Sequence, residues 1–138
     1  MASRSLDDLH PWVKAKAEIF LARAKAAGHP VLIYETKRTP EQQAQKVKQG
    51  LSQTLESAHL YGLAFDCVPF DPLAAYPRDE DLVLLWKAPK DIWQTLWIIG
   101  DSCGLDPLGM RGGEYLPWDR GHFQEPGWRL VKDLCGKS

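Results

Sequence analysis

Two histidines in this sequence lie close to carboxylates, and this combination of residue types is typical of a catalytic metal site. His59 precedes Asp66 by seven residues, and His122 follows Asp119 by three. Zinc binds imidazole nitrogen and carboxylate oxygen, and a catalytic zinc keeps three protein ligands and one position for water. The metal acidifies that water, and a further carboxylate can carry its proton to a leaving amine. Spacing alone leaves ordinary core or surface histidines as the alternative interpretation.

The elements that must position these residues are three helices and several short strands. Apolar residues recurring at steps of three and four, together with a capping-box pattern at Thr39 and Gln42, mark the helices. The predicted helices lie between Ser5 and Gly28, from Thr39 to Gly50, and from Pro89 to about Ser102. The predicted strands are 31–34, 63–70 and 122–124, with 82–86 as a further candidate. Helices segregated from a few short strands predict an α+β fold with a small antiparallel sheet.

The length and composition indicate one globular domain, spanning residues 1–138. A hydrophobic content of 44% and a charged content of 25% exclude the disordered and fibrous classes. The net charge of −1 gives no broad electrostatic surface for nucleic acid or for an anionic membrane. No apolar stretch approaches the roughly 18 residues needed to cross a bilayer. Acidic residues occupy the place of a signal peptide's apolar core, so we expect a protein that starts in the cytoplasm.

The remaining metal-binding side chains favour no second site. Three cysteines, Cys67, Cys103 and Cys135, match no zinc-knuckle spacing and cannot all pair, so reduced thiols are expected, with a single disulfide as the alternative. His10 and His29 each precede a proline next to a helix end, which favours surface or capping roles for both.

The segment SAHLYGLAFD (57–66) follows the pattern Ser-x-His-x-x-Gly-x-Ala-x-Asp, and DRGH (119–122) adds an acidic residue, two spacers and a histidine. In both segments the chain resembles the zinc peptidases of bacterial cell-wall peptides. These are D-alanyl-D-alanine carboxypeptidases and dipeptidases, and the L-alanyl-D-glutamate endopeptidases found among phage endolysins. Arg38 and Gln43 stand where this family has an arginine after a strand and a glutamine five residues on. The resemblance runs from the first helix to about Phe123.

Details of the second segment indicate the endopeptidase branch. The carboxypeptidases and dipeptidases usually carry Glu at the position of Asp119 and Trp after the last histidine, whereas this chain has Asp119 and Phe123. As in the endopeptidases, a Gly-Gly pair at 112–113 and aromatic residues precede the motif. The stretch from Gly113 to Asp119 is slightly shorter than is usual in the family, so we expect a different cleft rim there. No separate wall-binding domain is expected.

The resemblance implies one Zn²⁺ per chain, at a junction of sheet and loops, with His59, Asp66 and His122 as its ligands. It implies Asp119 as the general base, with Glu114 as the rival, and Arg38 as the cation that stabilises the developing oxyanion. For Arg38 the alternative is a surface arginine that caps the start of a helix. The implied substrate-binding residues are Ser57, Gln43, Tyr115 and Trp118. For these four other roles stay open: Ser57 as a support for His59 or a plain loop hydroxyl, and the other three as packing residues.

One glycine has a physical reason to lie between two of the implied ligands. His59 and Asp66 are an odd number of residues apart, so a straight strand would point their side chains to opposite faces. The chain must therefore bend between them, and Gly62 tolerates such a bend.

The implied function is hydrolysis of the stem peptide of peptidoglycan, at the L-Ala–D-Glu bond. A phage or prophage endolysin would fit, held in the cytoplasm and acting on the cell wall after a holin opens the membrane. The alternatives are a D-alanyl-D-alanine carboxypeptidase and a zinc-binding module without hydrolytic activity. The expected partners are peptidoglycan stem peptides, without nucleic acid or membrane insertion, and the expected state is a monomer.

Overall fold

The computed structural model describes residues 3–52, 54–70, 85–86, 88–113 and 120–134. Its helices are α1 (Pro11–Ala26), α2 (Pro40–Lys48), α3 (Lys90–Ser102) and the short α4 (Trp128–Val131). Its strands are β1 (Val31–Glu35), β2 (Ala64–Pro69), β3 (Asp106–Pro107) and β4 (His122–Gln124). The strands form one antiparallel sheet in the order β1-β2-β4-β3. The predicted α+β class is confirmed, and α4 and β3 are added to the predicted elements.

The candidate strand 82–86 is not formed in its described part. Leu85 and Trp86 lie outside any strand, and residues 82–84 of the same candidate lie outside the described residues.

The first helix begins later than predicted because of Pro11. Ser5 caps only a 3₁₀ turn, Leu6–Asp8, and α1 starts at Pro11 with His10 as its N-cap. A residue before proline is pushed towards extended backbone, and His10 has φ −55° and ψ 141°. His10 Nδ1 accepts a hydrogen bond from the Trp12 amide at 3.3 Å, which is the predicted capping role.

The second helix begins as the sequence predicts. The Gln42 amide donates to Thr39 Oγ1 at 3.1 Å, and the Thr39 amide donates to Gln42 Oε1 at 2.8 Å. This capping box satisfies two amides that would otherwise lack partners at the start of α2. It places Gln43 in the first turn of the helix.

The two central strands have one apolar face and one polar face. Phe65 of β2 and Phe123 of β4 are fully buried, and their ring centroids are 5.6 Å apart. Phe20 of α1 packs against them, 4.7 Å from Phe123. Because side chains alternate along a strand, Asp66 and His122 project from the opposite face. The apolar face is covered by α1, and the polar face is left for the site.

Strand register brings three polar residues into one row across the sheet. Asp66 of β2 lies opposite Glu35 of β1 and also opposite His122 of β4. An irregularity in the β1–β2 pairing between Ile33 and Glu35 brings Glu35 to this position.

Gly62 makes the bend that the spacing of His59 and Asp66 requires. It ends the 3₁₀ turn Ala58–Tyr61 with φ 68°, a left-handed conformation that glycine adopts without steric cost. A β-carbon at this position would also lie 2.9 Å from the Asp8 carbonyl oxygen.

The described cysteines, Cys67 and Cys103, are free thiols, as expected, and Cys135 lies outside the described residues. Every helix in the described segments is too short or too polar to cross a lipid bilayer.

Gly121→Ala should weaken the fold and displace His122. A β-carbon at Gly121 would lie 2.1 Å from the Cys67 carbonyl oxygen, so β4 would have to move away from β2. We expect urea unfolding to show a loss of about 1–3 kcal/mol, the usual cost of overpacking, together with weaker zinc binding. Gly28→Ala is the matched control, because φ is 86° there but no atom lies within 4 Å. It should lower stability through backbone strain alone, and equal zinc loss in both variants would contradict the prediction.

Candidate metal centre

The structure brings together the three residues that the sequence motifs imply as zinc ligands. His59 comes from the 3₁₀ turn Ala58–Tyr61, Asp66 from β2 and His122 from β4. One ligand atom from each lies within 4.8 Å of the others. His59 Nε2 is 3.4 Å and His122 Nδ1 is 3.1 Å from Asp66 Oδ1. Two imidazoles and one carboxylate are the donor set of many catalytic zinc sites.

A backbone carbonyl fixes the orientation of His59. The ring is 2% exposed, and its Nδ1 lies 2.6 Å from the Thr36 carbonyl oxygen. A carbonyl oxygen only accepts, so Nδ1 carries the proton and Nε2 of the neutral ring keeps its lone pair. Nε2 is buried and has no hydrogen-bond partner among the described residues. A buried nitrogen with an unused lone pair beside a carboxylate fits a metal ion, so the residues present suit zinc.

The Asp66 carboxyl is held in its ionised form. Its burial acts to raise the pKa, but electrostatic attraction from the His59 and His122 imidazoles, at 3.4 and 3.1 Å, holds the pKa well below its usual range. Burial raises the pKa of the neighbouring Cys67 thiol well above its ordinary value, and the Asp66 charge adds to this shift. Cys67 therefore stays protonated on the core face, and Asp66 is the anionic group at this place.

Arg38 lies beside this centre, and hydrogen bonds to Glu35 and Gln43 hold its side chain. Its side chain is 7% exposed, and its Nε donates to Glu35 Oε1 at 2.6 Å. One terminal nitrogen also donates to Glu35 Oε1, and the other donates to Gln43 Oε1. These bonds use three of the five guanidinium N–H groups, so two have no partner among the described residues, in a side chain that lines the groove. Arg38 can therefore present fixed donors to a bound molecule.

Gln43 is placed as a support for Arg38 and not at the groove wall. It is fully buried, and its Nε2 donates to Ser52 Oγ at 3.0 Å and to the Thr54 carbonyl at 2.6 Å. Both ends of its amide are thus engaged within the protein. This agrees with the packing alternative left open by the sequence.

Ser57 serves the backbone of the His59 turn and also lines the groove. Its Oγ accepts a hydrogen bond from the His59 amide at 3.2 Å. The Arg38 amide donates to the His59 carbonyl at 2.9 Å, which joins the arginine loop to the histidine turn. The candidate ligand and the candidate electrophile are therefore held by one local network.

Glu35 is a site residue that the sequence motifs did not indicate. It is 6% exposed, accepts from Arg38 and lies 3.6 Å from Lys46 Nζ. The available signal was its position directly after the predicted strand 31–34 and three residues before Arg38, where an acid and a base can pair. The spacing alone could not show that the pair would be buried.

A groove of about 690 Å³ opens onto the centre. Its walls include both cations and apolar surface, contributed by Lys46, Leu51, Leu108, Trp128 and Arg129. The Arg129 guanidinium carbon lies 4.5 Å from the centroid of the Trp128 ring, so the arginine is held against an aromatic face. The lining also includes the Glu56 carboxylate, and an extended peptide would suit such a groove. The remaining expected site residues, Glu114, Tyr115, Trp118 and Asp119, lie outside the described residues.

Comparison with known sequences finds a curated relative that matches just under half of the chain. It is the L-alanyl-D-glutamate peptidase of Listeria phage A118, 48% identical over 69 residues. The match covers 48% of this chain and 25% of the phage protein, so the chain spans about a quarter of the relative's length. No family model matches the chain.

Comparison with solved structures finds the same fold in several peptidases. An L-Ala D-Glu endopeptidase from Serratia marcescens superposes with a TM-score of 0.68 at 23% identity, over 91% of this chain and 88% of that one. The LD-carboxypeptidase LdcB gives 0.55 at 19% identity, over 97% and 79%. The vancomycin-resistance D,D-pentapeptidase VanY, solved in complex with Zn(II), gives 0.54 at 14% identity, over 91% and 77%. The sequence and structure comparisons together support the family resemblance that the motifs indicate.

Glu35→Ala should destabilise the protein strongly, because it leaves Arg38 buried without its counter-ion. Removing one partner of a buried ion pair costs about 3–5 kcal/mol, measurable as the free energy of urea unfolding. Asp7→Ala is the control, since it breaks an exposed ion pair with Lys14 and should change stability little. Equal losses in the two variants would show that the Glu35–Arg38 pair contributes no more than a surface pair.

Proposed function

We propose that the chain is a zinc-dependent peptidase that cleaves the stem peptide of bacterial peptidoglycan, between L-Ala and D-Glu. The observation that carries this proposal is the His59–Asp66–His122 cluster beside a buried, immobilised Arg38 in an open groove. A binding module would need the metal ligands. It would have no use for a buried arginine that Glu35 and Gln43 hold in place and that keeps two N–H groups without a partner among the described residues.

His59, Asp66 and His122 would hold the zinc, which supplies Lewis acidity and an acidified water when it is bound. Arg38 would donate to the carbonyl oxygen of the scissile peptide as negative charge develops there. Because Glu35 and Gln43 already hold the guanidinium, little reorganisation is needed at that moment. Asp119 would take a proton from the attacking water and pass it to the leaving amine.

The endopeptidase activity is favoured over removal of a terminal D-Ala. Asp119 and Phe123 follow the endopeptidase pattern rather than the carboxypeptidase pattern. The phage relative and the Serratia structure are both named for the L-Ala–D-Glu bond. The cations at the groove, Lys46 and Arg129, suit a stem peptide that carries free carboxylates beyond the cleaved bond.

The phage relative also supports a role as an endolysin. In this proposal the chain works as a monomer with one zinc, without nucleic acid or membrane insertion, and reaches the cell wall after a holin opens the membrane. Ser57, Tyr115 and Trp118 would contribute to the groove that receives the peptide, and Gln43 would act through Arg38.

Digestion of purified muropeptides followed by mass spectrometry tests the bond that is cleaved. We expect release of the whole stem peptide beyond L-Ala, one equivalent of zinc in the purified protein, and loss of activity with a chelator. Release of D-Ala alone would support the carboxypeptidase. Full activity in metal-free protein would contradict the zinc site, and zinc binding without any hydrolysis would support the non-catalytic module.

Asp119→Ala should retain zinc and fold but lose about 10²–10⁴-fold in kcat, the usual contribution of a general acid–base group. Asp119 is favoured over Glu114 because it is three residues from His122, whereas Pro117 separates Glu114 from that histidine. Glu114→Ala is the matched control and should keep near wild-type turnover. The measurements are kcat and zinc content for both variants. An inactive Glu114→Ala enzyme would show that Glu114, and not Asp119, is the general base. Loss of zinc from Asp119→Ala would show that Asp119 is a metal ligand or supports one.

A further inference from the structure

We propose that Gln124 and Asp106 form a positioning relay that makes Nδ1 the metal-binding nitrogen of His122. Both residues lie outside the motifs that indicate the metal site. The inference rests on the proposed metal centre and concerns how one of its ligands is prepared.

The hydrogen bonds determine where the protons lie. The Asp106 carboxylate can only accept, and Gln124 Nε2 donates to its Oδ2 at 3.4 Å. Gln124 Oε1 is thereby turned to His122 Nε2, at 2.9 Å. An amide oxygen also only accepts, so His122 Nε2 must carry the proton. In the neutral ring Nδ1 then keeps its lone pair, and it is Nδ1 that lies 3.1 Å from Asp66 Oδ1.

Burial makes the opposite arrangement costly. Gln124 is 6% exposed, so water cannot easily replace a lost hydrogen bond at this place. If His122 carried its proton on Nδ1, the lone pair of Nε2 would face the lone pairs of Gln124 Oε1. A buried polar group without a partner is disfavoured more strongly than a hydrogen bond is favoured. The relay therefore favours the tautomer that leaves the Nδ1 lone pair to a metal ion.

Sheet pairing holds the relay in place. Gln124 lies in β4, directly opposite Asp106 of β3 on one side and Ala64 of β2 on the other. The donor and acceptor are thus aligned by the strand register and not by a loop. This gives the two-residue strand β3 a role, because it delivers the carboxylate that orients Gln124.

The two histidine rings are oriented by different kinds of hydrogen-bond acceptor. His59 donates from Nδ1 to a backbone carbonyl and presents Nε2, whereas His122 donates from Nε2 to a side chain and presents Nδ1. The support of His59 cannot be removed by substitution, but the support of His122 can. Removing such a hydrogen-bond partner of a ligand typically weakens metal binding by about 10–100-fold.

Gln124→Leu, which removes the acceptor at similar size, tests the relay. In competition with a chromophoric chelator we expect its zinc affinity to fall by about 10–100-fold. Gln94→Leu, the same change on an exposed helical surface, is the matched control and should keep wild-type affinity. The double variant Gln124→Glu with Asp106→Asn exchanges donor and acceptor between the two positions while keeping an acceptor towards His122. It should restore the affinity.

Long-range proton–nitrogen NMR of the zinc-loaded wild type gives a readout that does not depend on activity. We expect a proton on Nε2 of His122 and on Nδ1 of His59. A proton on Nδ1 of His122 overturns the relay, as does wild-type zinc affinity in Gln124→Leu or a double variant no better than Gln124→Leu. If one of these results is found in an enzyme that binds zinc and hydrolyses stem peptides, it contradicts the relay and leaves the proposed function standing. A wild-type protein that binds no zinc overturns the proposed function and the relay together.

Discussion

Strand β2 is paired on both of its edges at the same residue, and this register is the constraint on which the site depends. Asp66 lies opposite Glu35 on one side and His122 on the other, so the support of Arg38, the carboxylate and one imidazole share a row. Side chains alternate with a period of two, so a slip of one residue would turn this row into the core. The buried Phe65 and Phe123 oppose such a slip because they would be exposed by it.

The same alternation places the residues that stabilise the fold and the residues of the site on opposite faces of the sheet. Phe20, Phe65 and Phe123 form a contiguous aromatic cluster on one face, and such ring pairs contribute about 0.5–1.5 kcal/mol each beyond their burial. The apolar cluster can therefore stabilise a sheet whose opposite face gathers two imidazoles and a carboxylate.

Buried polar side chains on that face are oriented by partners that belong to neighbouring elements. Arg38 is held by Glu35 from β1 and by Gln43 from α2, and His59 is held by the Thr36 carbonyl. Each of these partners is itself nearly or fully excluded from water, so the hydrogen bonds face little competition. A site prepared in this way loses little freedom when it binds a metal or a transition state, which is the physical basis of preorganisation.

The sequence by itself indicated the α+β class, the two main strands of the site, the capping box of α2 and the three candidate ligands. It could do so because these features depend on local spacing: alternation in 63–70, Thr39 before Gln42, and glycine between His59 and Asp66. It placed the start of α1 at Ser5, because periodicity alone does not register the extended backbone that Pro11 imposes on His10.

Only the tertiary structure decided which side chains support the site. Glu35, Thr36, Asp106 and Gln124 carry no motif, and each acts on a residue that strand pairing or chain reversal brings close. Gln43 matched the family pattern, but its burial assigns it to Arg38 and not to the groove wall. Hydrogen-bond partners across a sheet depend on register, and register is set by the packing of the opposite face. A pattern of residue types along one chain therefore predicts the ligands of this site but not the groups that orient them.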